Sequence, residues 1–332
     1  MQNIINKKSW NTAYILVFLA IFFSQLIFGV TTEKVYVGLK YSFRNYKTNG
    51  DVILIDPFSK TMVIYGLESK KIMSFYNQIG SFVIAVYDLK DSHIIVDRTA
   101  PAIYKKSLNG EVIAKVKFDR RIQSSVYFND TIYILLEGGQ LFVYDKDLKL
   151  ISKSSFSGSP AYLFIWKGKV LATYLWNNSY DVEFLGEKPY KIGLTTPALL
   201  VEDLLIDTRG GQVYNLSNKK TTRIAPYISC AYFDGTFYYI ASMSNSAIYI
   251  LREDDMVGSF SVPYTPTYVS KVGNYIVILS APYNKVMVTE NGKDILTFDT
   301  GDYPIEVFKL FNDTNSFAVY CSDSGEMYYY YF

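Results

Sequence analysis

The chain has 332 residues, of which 49% are hydrophobic, 19% charged and 17% aromatic, with 31 tyrosines and 22 phenylalanines. This composition is typical of a globular protein rich in strand-forming residues, and all-β barrels and propellers reach this length as single domains. The formal net charge of +2 comes from 33 basic and 31 acidic residues spread along the chain. Because no basic stripe stands out, we expect no nucleic-acid partner.

The counts of cysteine and histidine limit the chemistry of the chain. Cys230 and Cys321 lie in no metal-binding or redox spacing, and the sequence leaves their pairing open. The single histidine, His93, leaves most metal sites and most histidine-based acid–base mechanisms without their usual groups. We therefore predict no catalytic, cofactor-binding or metal-binding residues and no cofactor, and we favour a protein that is not an enzyme.

The N-terminus has the pattern of an export segment. Lys7 and Lys8 precede residues 13–30, which carry no formal charge and are mostly apolar, as in a secretory signal. Cleavage after Gly29 would place the bulky Ile27 in the recognition site, so an uncleaved hydrophobic membrane helix is the alternative. We divide the chain into a signal peptide or anchor over 1–30 and a β-propeller over 31–332. We expect an exported protein that is periplasmic, on the cell surface or secreted, with tethering by residues 13–30 as the alternative to cleavage.

Beyond residue 33, tight-turn sequences recur every 32 to 41 residues. The turns are Asn49-Gly50, Lys90-Asp91, Asn129-Asp130, Lys167-Gly168, Glu202-Asp203, Asp234-Gly235, Val272-Gly273 and Asn312-Asp313. Each is followed by two short strands, such as VILID and TMVIY or TIYILL and QLFVY, and often by a third turn and an outer strand. This period predicts an all-β propeller of about eight four-stranded blades, or seven if the first hairpin is a cap.

The last repeat ends at Phe332 after its third strand. Residues 33–37 (EKVYV) are the natural donor of the missing outer strand, and residues 39–43 (LKYSF) would then form the first inner strand. Such an overlap of the chain ends would close the ring and leave no open sheet edge.

Prolines mark the entry to the later inner strands, at Pro160, Pro197, Pro226, Pro266 and Pro304. A proline at the first position of a strand removes no ladder hydrogen bond, so we assign these residues a structural role. With Gly273, Asp313 and the runs IVIL and FAVY, the last two repeats resemble those of the YVTN family of β-propellers, which is related to the quinoprotein-like propeller superfamily. The Tyr-Val-Thr-Asn tetrapeptide, a Trp-Asp dipeptide and a tryptophan docking motif are absent from the sequence. The resemblance implies the fold, and it is consistent with an exported binding protein.

Four groups of residues are candidates for a function, and we assign a role to none of them. His93, beside Ser92, is expected at a strand end, facing solvent or a loop. Glu253-Asp254-Asp255 is expected in a solvated outer turn, and Arg120-Arg121 in a loop at the mouth of the channel, where an anion could bind. Tyr328 to Tyr331 could expose aromatic platforms for sugars or peptides, whereas Tyr133, Tyr144, Tyr238 and Tyr249 are expected to fill half-buried sheet surfaces.

The leading hypothesis is an exported, non-catalytic propeller that binds or scaffolds a protein or a cell-envelope polymer. One alternative is an exported enzyme that holds a cation or quinone at the channel mouth with carboxylates and amides. Another is a structural component of the envelope, anchored in the membrane. We expect a monomer that contacts the membrane only through its N-terminal segment.

Overall fold

The computed structural model describes residues 30–40, 42, 44–47, 51–311 and 315–332. The predicted export segment up to Gly29, and the predicted turns Asn49-Gly50 and Asn312-Asp313, lie outside this part of the chain.

In the described residues, 31 strands form eight antiparallel sheets, here called blades 1 to 8. Blades 1 to 3 contain β2 (Arg44–Lys47), β3 (Asp51–Asp56), β4 (Thr61–Gly66), β5 (Lys71–Asn77); β6 (Val83–Leu89), β7 (Ser92–Asp97), β8 (Ala102–Ser107), β9 (Val112–Lys117); β10 (Ile122–Phe128), β11 (Thr131–Leu136), β12 (Gln140–Asp145), β13 (Leu150–Ser155). Blades 4 to 6 contain β14 (Tyr162–Trp166), β15 (Lys169–Thr173), β16 (Val182–Phe184); β17 (Pro197–Val201), β18 (Leu204–Asp207), β19 (Gln212–Asn215), β20 (Thr221–Arg223); β21 (Ile228–Phe233), β22 (Tyr238–Ser242), β23 (Ala247–Arg252), β24 (Asp255–Ser261). Blade 7 contains β25 (Tyr268–Val272), β26 (Tyr275–Ser280), β27 (Lys285–Thr289) and β28 (Leu296–Asp299), with a 3₁₀ turn at Ala281–Tyr283, and blade 8 contains β29 (Pro304–Lys309), β30 (Phe317–Cys321), β31 (Glu326–Tyr331) and β1 (Thr31–Tyr36).

Eight clusters of buried hydrophobic residues hold the blades together, and each cluster is shared by two successive blades. Between blades 2 and 3, for example, Ile94 and Val96 of β7 pack with Ile132 and Ile134 of β11. The cluster between blades 8 and 1 completes the circuit. The eight-bladed alternative is therefore the correct one, and burial on both faces of each sheet explains the continuous apolar runs of middle strands such as β3 and β7.

The ring closes as the sequence predicts. Strand β1 pairs with β31 from Thr31 opposite Tyr331 to Tyr36 opposite Glu326, which makes it the fourth strand of blade 8. The prediction for residues 39–43 is wrong, because the first inner strand is β2, which begins at Arg44. Leu39 instead lies in the connection between the blades, where its carbonyl accepts a 2.8 Å hydrogen bond from the Tyr320 hydroxyl.

The strand directions define two faces of the ring. The described turns between strands 1 and 2, and those between strands 3 and 4, lie on the lower face. There Asn129 and Asp130 have φ of 48° and 56°, as a tight hairpin with a right-handed twist requires. Turns between strands 2 and 3 lie on the upper face, beside the connections from one blade to the next. Backbone bonds join the two sets of upper loops, such as Phe156 N to Gly139 O at 2.9 Å.

An aspartate at the end of strand 2 organises several upper loops. Asp207 is fully buried and accepts hydrogen bonds from the backbone N–H groups of Thr195, Thr196, Arg209 and Gly210 at 2.8 to 3.2 Å. Asp97 does the same in blade 2 with four N–H groups, and Asp56 with two in blade 1. These carboxylates satisfy loop donors that would otherwise be buried without partners.

Candidate binding face

The two faces differ in the apolar side chains that they expose. Among the described residues, 19 large hydrophobic side chains are exposed: seven belong to the upper face, two to the lower face and ten to the outer strands. The upper-face group consists of Phe58, Tyr162, Trp176, Tyr227, Met243, Tyr283 and Tyr303. The upper face is therefore the end of the ring richer in exposed aromatic side chains.

Three of these aromatic residues have a left-handed backbone. Trp176, Tyr227 and Tyr303 have φ of 54°, 56° and 59°, and their side chains are 57%, 49% and 42% exposed. Bulky residues rarely adopt this conformation, and strained residues cluster at functional sites. The fold here directs large aromatic rings outward without burying them.

A chain of backbone bonds makes part of this face continuous over blades 4 to 6. Trp176 N donates to Thr195 O at 2.9 Å and Met243 N donates to Tyr227 O at 2.9 Å, while Tyr227 N lies 3.4 Å from Arg209 O. The Arg209 guanidinium lies 5.1 Å from the centre of the Trp176 ring, within cation–π range. Trp176, Arg209, Tyr227 and Met243 thus form one arc, which we call the aromatic arc.

Blade 4 departs from the repeat in the loops that support Trp176. It has three strands, with long connections over residues 174–181 and 185–196. Buried Asp181 accepts hydrogen bonds from the N–H groups of Ile192, Gly193 and Leu194 at 2.7 to 2.9 Å. Glu183, also buried, accepts one from Ser157 N at 2.9 Å and another from the Tyr174 hydroxyl. Buried carboxylates therefore hold this irregular region in place.

Four of the seven arginines in the sequence also belong to upper-face loops: Arg98, Arg120, Arg121 and Arg209. Arg120 and Arg121 are exposed between β9 and β10, at the entry to an inner strand as expected. Arg98 donates a 3.2 Å hydrogen bond to Gln123 Oε1. Guanidinium groups beside exposed aromatic rings are typical of the centres of protein interfaces.

The lower face is instead joined by ion pairs between neighbouring blades. Its interblade pairs are Lys105–Asp147, Lys167–Asp203, Lys220–Asp254 and Lys271–Asp234, at 2.6 to 3.0 Å. Burial alone would raise the pKa of Asp234, but the Lys271 ammonium and two backbone N–H groups lower it to about 2. These charges are paired within the ring, which gives the lower face a structural role.

The structure corrects two of the sequence-based expectations for charged residues. His93 is only 1% exposed, so it does not face solvent; it packs edge-on against Tyr76, and its Nδ1 lies 3.1 Å from Asp88 Oδ1. Neither ring nitrogen has a well-aligned hydrogen bond among the described residues. The run Glu253-Asp254-Asp255 does lie at an outer turn, but Asp254 is buried and accepts a 2.8 Å hydrogen bond from Asn218 Nδ2, so this turn is not simply solvated.

Tyr328 to Tyr331, which the sequence left open as an aromatic platform, are not fully exposed: Tyr329 and Tyr330 are buried and Tyr328 and Tyr331 are half-buried. Tyr329 packs in the cluster shared with blade 1 and Tyr330 in the cluster shared with blade 7, because neighbouring side chains of a strand project from opposite faces of the sheet. Tyr144 and Tyr238 are buried, and Tyr133 and Tyr249 are half-buried, within the sheets.

The inner strands of blades 6 to 8 carry a polar cluster along the central channel. Lys309 Nζ donates a 2.7 Å hydrogen bond to the Tyr232 hydroxyl. Burial, together with nearby Cys230 and Glu306, raises the pKa of Tyr268 well above its usual value. Cys230 and Cys321 are free thiols in blades 6 and 8, so they do not pair.

In the described part of the chain, no three His, Cys, Asp or Glu side chains come together as metal ligands. No helix in the same residues has the length and apolarity needed to span a membrane.

Comparison with solved structures places this geometry among known folds. No family model and no curated protein matches the sequence. BamB from Moraxella catarrhalis superimposes with a TM-score of 0.63 at 11% identity, over 91% of this chain and 100% of that one. A catalytically inactive virginiamycin B lyase from Staphylococcus aureus, solved with quinupristin, gives 0.56 at 10%, over 91% and 99%. BBS1N in complex with ARL6DN gives 0.54 at 10%, over 90% and 94%.

The chain has the fold of an eight-bladed β-propeller. At this level of identity the likeness shows the fold alone.

Proposed function

We propose that this propeller is an exported, non-catalytic binding module that recognises a protein partner through the aromatic arc of its upper face. The observation that carries the proposal is the left-handed backbone of Trp176 and Tyr227 in the aromatic arc, whose rings remain exposed. A left-handed non-glycine residue costs roughly 1–2 kcal/mol, and here about half of each side chain's surface stays in solvent instead of offsetting that cost by burial. Binding to a partner would supply the missing burial.

The residue types favour a protein as the ligand. Tryptophan, tyrosine, methionine and arginine are the side chains enriched at the centres of protein interfaces, and all four occur in the aromatic arc. Arg209 stacks on Trp176 and remains beside an exposed surface, where it can pair with a partner's carboxylate. One similar propeller, BBS1N, was solved in complex with a protein, ARL6DN.

An enzymatic role has one supporting observation, the likeness to virginiamycin B lyase. The position of His93 gives this alternative little support, because the chain's sole imidazole is packed between blades 1 and 2, away from the aromatic arc. The binding module is therefore the better-supported reading.

The test is site-specific photo-crosslinking in the source cells with the full chain. A photoreactive residue replaces Tyr227 on the upper face or Thr236 on the lower face; both flank β21 of blade 6 and both are exposed. We expect a discrete crosslinked protein from position 227 and none from position 236. The Trp176→Ala variant should remove the product at 227.

Two results would contradict the proposal. A crosslinked product of equal yield from positions 227 and 236 would mean that the partner does not bind preferentially to the upper face. Crosslinking at 227 to carbohydrate alone would replace the protein with an envelope polymer as the ligand.

A further inference from the structure

Exposed apolar pairs recur on the outer wall of the ring, close to its lower face. In four blades, two such residues lie side by side near the start of the outer strand: Ile72-Met73 in blade 1, Val112-Ile113 in blade 2, Leu150-Ile151 in blade 3 and Met256-Val257 in blade 6. Single exposed hydrophobic residues need no explanation. Pairs that recur near the start of the outer strand in three adjacent blades do, because grouped exposed apolar side chains mark interaction surfaces.

A bulge accompanies each pair. The register with strand 3 shifts at Met73, Ile113, Ile151 and Val257, the second residue of each pair. Bulges on edge strands discourage pairing between sheet edges, which accounts for the irregular register. It does not account for apolar side chains at these sites, because a polar residue would tolerate solvent better.

Charge separates blades 1 to 3 from blade 6. The outer strands of blades 1 to 3 carry the exposed lysines Lys71, Lys115 and Lys153. Strand β24 of blade 6 contains no lysine and begins with Asp255. Exposed lysines therefore accompany the apolar pairs in blades 1 to 3 but not the pair in blade 6, and we call the outer strands of blades 1 to 3 the lysine wall.

The chain enters the ring next to this wall. Strand β1 is the outer strand of blade 8, which adjoins blade 1, and Thr31 pairs with Tyr331 at the lower end of that blade. The preceding residues 13–30 carry no formal charge in the sequence. If they enter a bilayer, the lower rim of blade 8 lies at its surface, and the lysine wall is the next surface around the ring.

We propose that the lysine wall lies against the surface of a lipid bilayer that contains anionic headgroups. The apolar pairs of blades 1 to 3 enter the boundary between headgroups and acyl chains, as in other interfacial proteins. The lysines lie beside them and extend their ammonium groups to the headgroups, while their alkyl stems cover apolar surface. This inference rests on the expected insertion of residues 13–30, and it leaves the upper face free for a partner.

The test is nitroxide accessibility on the full chain in vesicles of phosphatidylcholine and phosphatidylglycerol. Labels are placed by Ile113→Cys and Val257→Cys, which are matched: both residues are the bulged position of an outer strand, they are 57% and 55% exposed, and blades 2 and 6 are opposite in the ring. Burial raises the pKa of Cys230 to about 11 and of Cys321 to about 12, so the native thiols label slowly at neutral pH. The unsubstituted chain, treated in the same way, measures any residual labelling.

We expect the label at position 113 to collide several-fold more with oxygen, relative to a water-soluble nickel chelate, than the label at 257. Replacing Lys71, Lys115 and Lys153 with glutamate should bring position 113 close to position 257. Equal ratios at the two positions would overturn the proposal, as would failure of the full chain to float with the vesicles. A label at 113 shielded from both reagents would also overturn it, because a protein would then cover the wall. None of these outcomes depends on the upper-face crosslink, so the two proposals fail separately.

Discussion

The hydroxyl groups of Tyr65 and Tyr329 lie 2.9 Å apart and join the first and last blades across 264 residues of sequence. The Tyr329 hydroxyl donates its proton to the carbonyl of Leu67 at 3.0 Å. In the bond with Tyr65, Tyr329 is therefore the acceptor and Tyr65 the donor. Both rings are buried in the hydrophobic cluster that closes the ring. Hydrogen bonds inside a hydrophobic cluster therefore join blade 8 to blade 1, where the two ends of the chain meet.

This arrangement predicts unequal effects for two conservative substitutions. Tyr329→Phe leaves both the Tyr65 hydroxyl and the Leu67 carbonyl without a partner, and we expect it to lower the free energy of unfolding by roughly 2–4 kcal/mol. Tyr65→Phe leaves the bond between Tyr329 and Leu67 intact, and we expect a loss of about 1 kcal/mol. Urea denaturation of both variants measures the difference. Equal losses would show that the hydrogen bonds from Tyr65 to Tyr329 and from Tyr329 to Leu67 do not stabilise the contact between blades 8 and 1.

The turn at Gly211 predicts that two glycine-to-alanine substitutions differ in their effect on stability. Gly211 has φ of +72°, and a Cβ there would lie 2.3 Å from the carbonyl carbon and oxygen of Ala225. We expect Gly211→Ala to cost roughly 3–4 kcal/mol, because backbone strain adds to overpacking. Gly235→Ala is the control: φ is +101° and nothing lies within 4 Å, so only strain of about 1 kcal/mol remains. Thermal unfolding that ranks Gly235→Ala as the more damaging change would contradict this account.

The carboxylate of Asp207, at the end of a strand, predicts a third pair of substitutions with unequal effects on stability. Asp207→Ala leaves four N–H groups without their acceptor, and we expect a loss of roughly 3–5 kcal/mol in the free energy of unfolding. Asp145→Ala removes an acceptor from two N–H groups in a solvent-accessible turn and should cost about 1 kcal/mol. Urea denaturation compares the two, and hydrogen exchange localises the change. Fast exchange confined to the amides of Thr195 and Thr196 would identify the loop that Asp207 holds.

The architecture was predictable because its signals are local. Alternating β-branched residues and turn residues such as Asn129 and Asp130 fix each hairpin, so strands 2 and 3 of the blades were located from the sequence. Closure by residues 33–37 followed from the missing last strand. The aspartates that end VILID, HIIVD and LLID repeat at one position and could have revealed the loop acceptors.

The site was much less predictable because its features depend on packing between blades. His93 and Asp254 belong to segments that look exposed by themselves, and only the neighbouring blade buries them. Tyr329 is buried against blade 1, where its partner Tyr65 lies 264 residues earlier in the chain. The left-handed conformation of Tyr227 and Tyr303 has a weak signal, since each adjoins a proline in a connection between blades.

The strain in the aromatic arc predicts a gain in stability when an exposed ring is removed. Tyr227→Gly relieves a left-handed backbone, and after the entropic cost of glycine we expect a net gain of about 0.5–1 kcal/mol. Tyr283→Gly, at an exposed tyrosine whose φ is not positive, should instead lose about 0.5–1 kcal/mol. Urea denaturation gives both values. If both substitutions lower the free energy of unfolding, the left-handed backbone of Tyr227 does not destabilise the folded protein.

His93 predicts how stability depends on pH. Burial lowers its pKa in the folded protein below the usual 6.5, and Asp88 opposes this only in part. Below about pH 6.5 the unfolded chain therefore binds a proton that the folded chain does not, so the free energy of unfolding falls as the pH is lowered, by at most about 1.4 kcal/mol per pH unit. The fall ends once the pH passes the folded pKa, where both states are protonated.

Two substitutions isolate this contribution, because the chain has no other histidine. His93→Phe keeps an aromatic ring against Tyr76 and should flatten the dependence between pH 6.5 and 5.5. Asp88→Asn removes the anion that favours the imidazolium, lowers the folded pKa further, and should extend the fall to more acidic pH. Urea denaturation across this range compares the three proteins. An unchanged slope in His93→Phe would assign the pH dependence to other groups and would mean that the buried imidazole keeps an ordinary pKa.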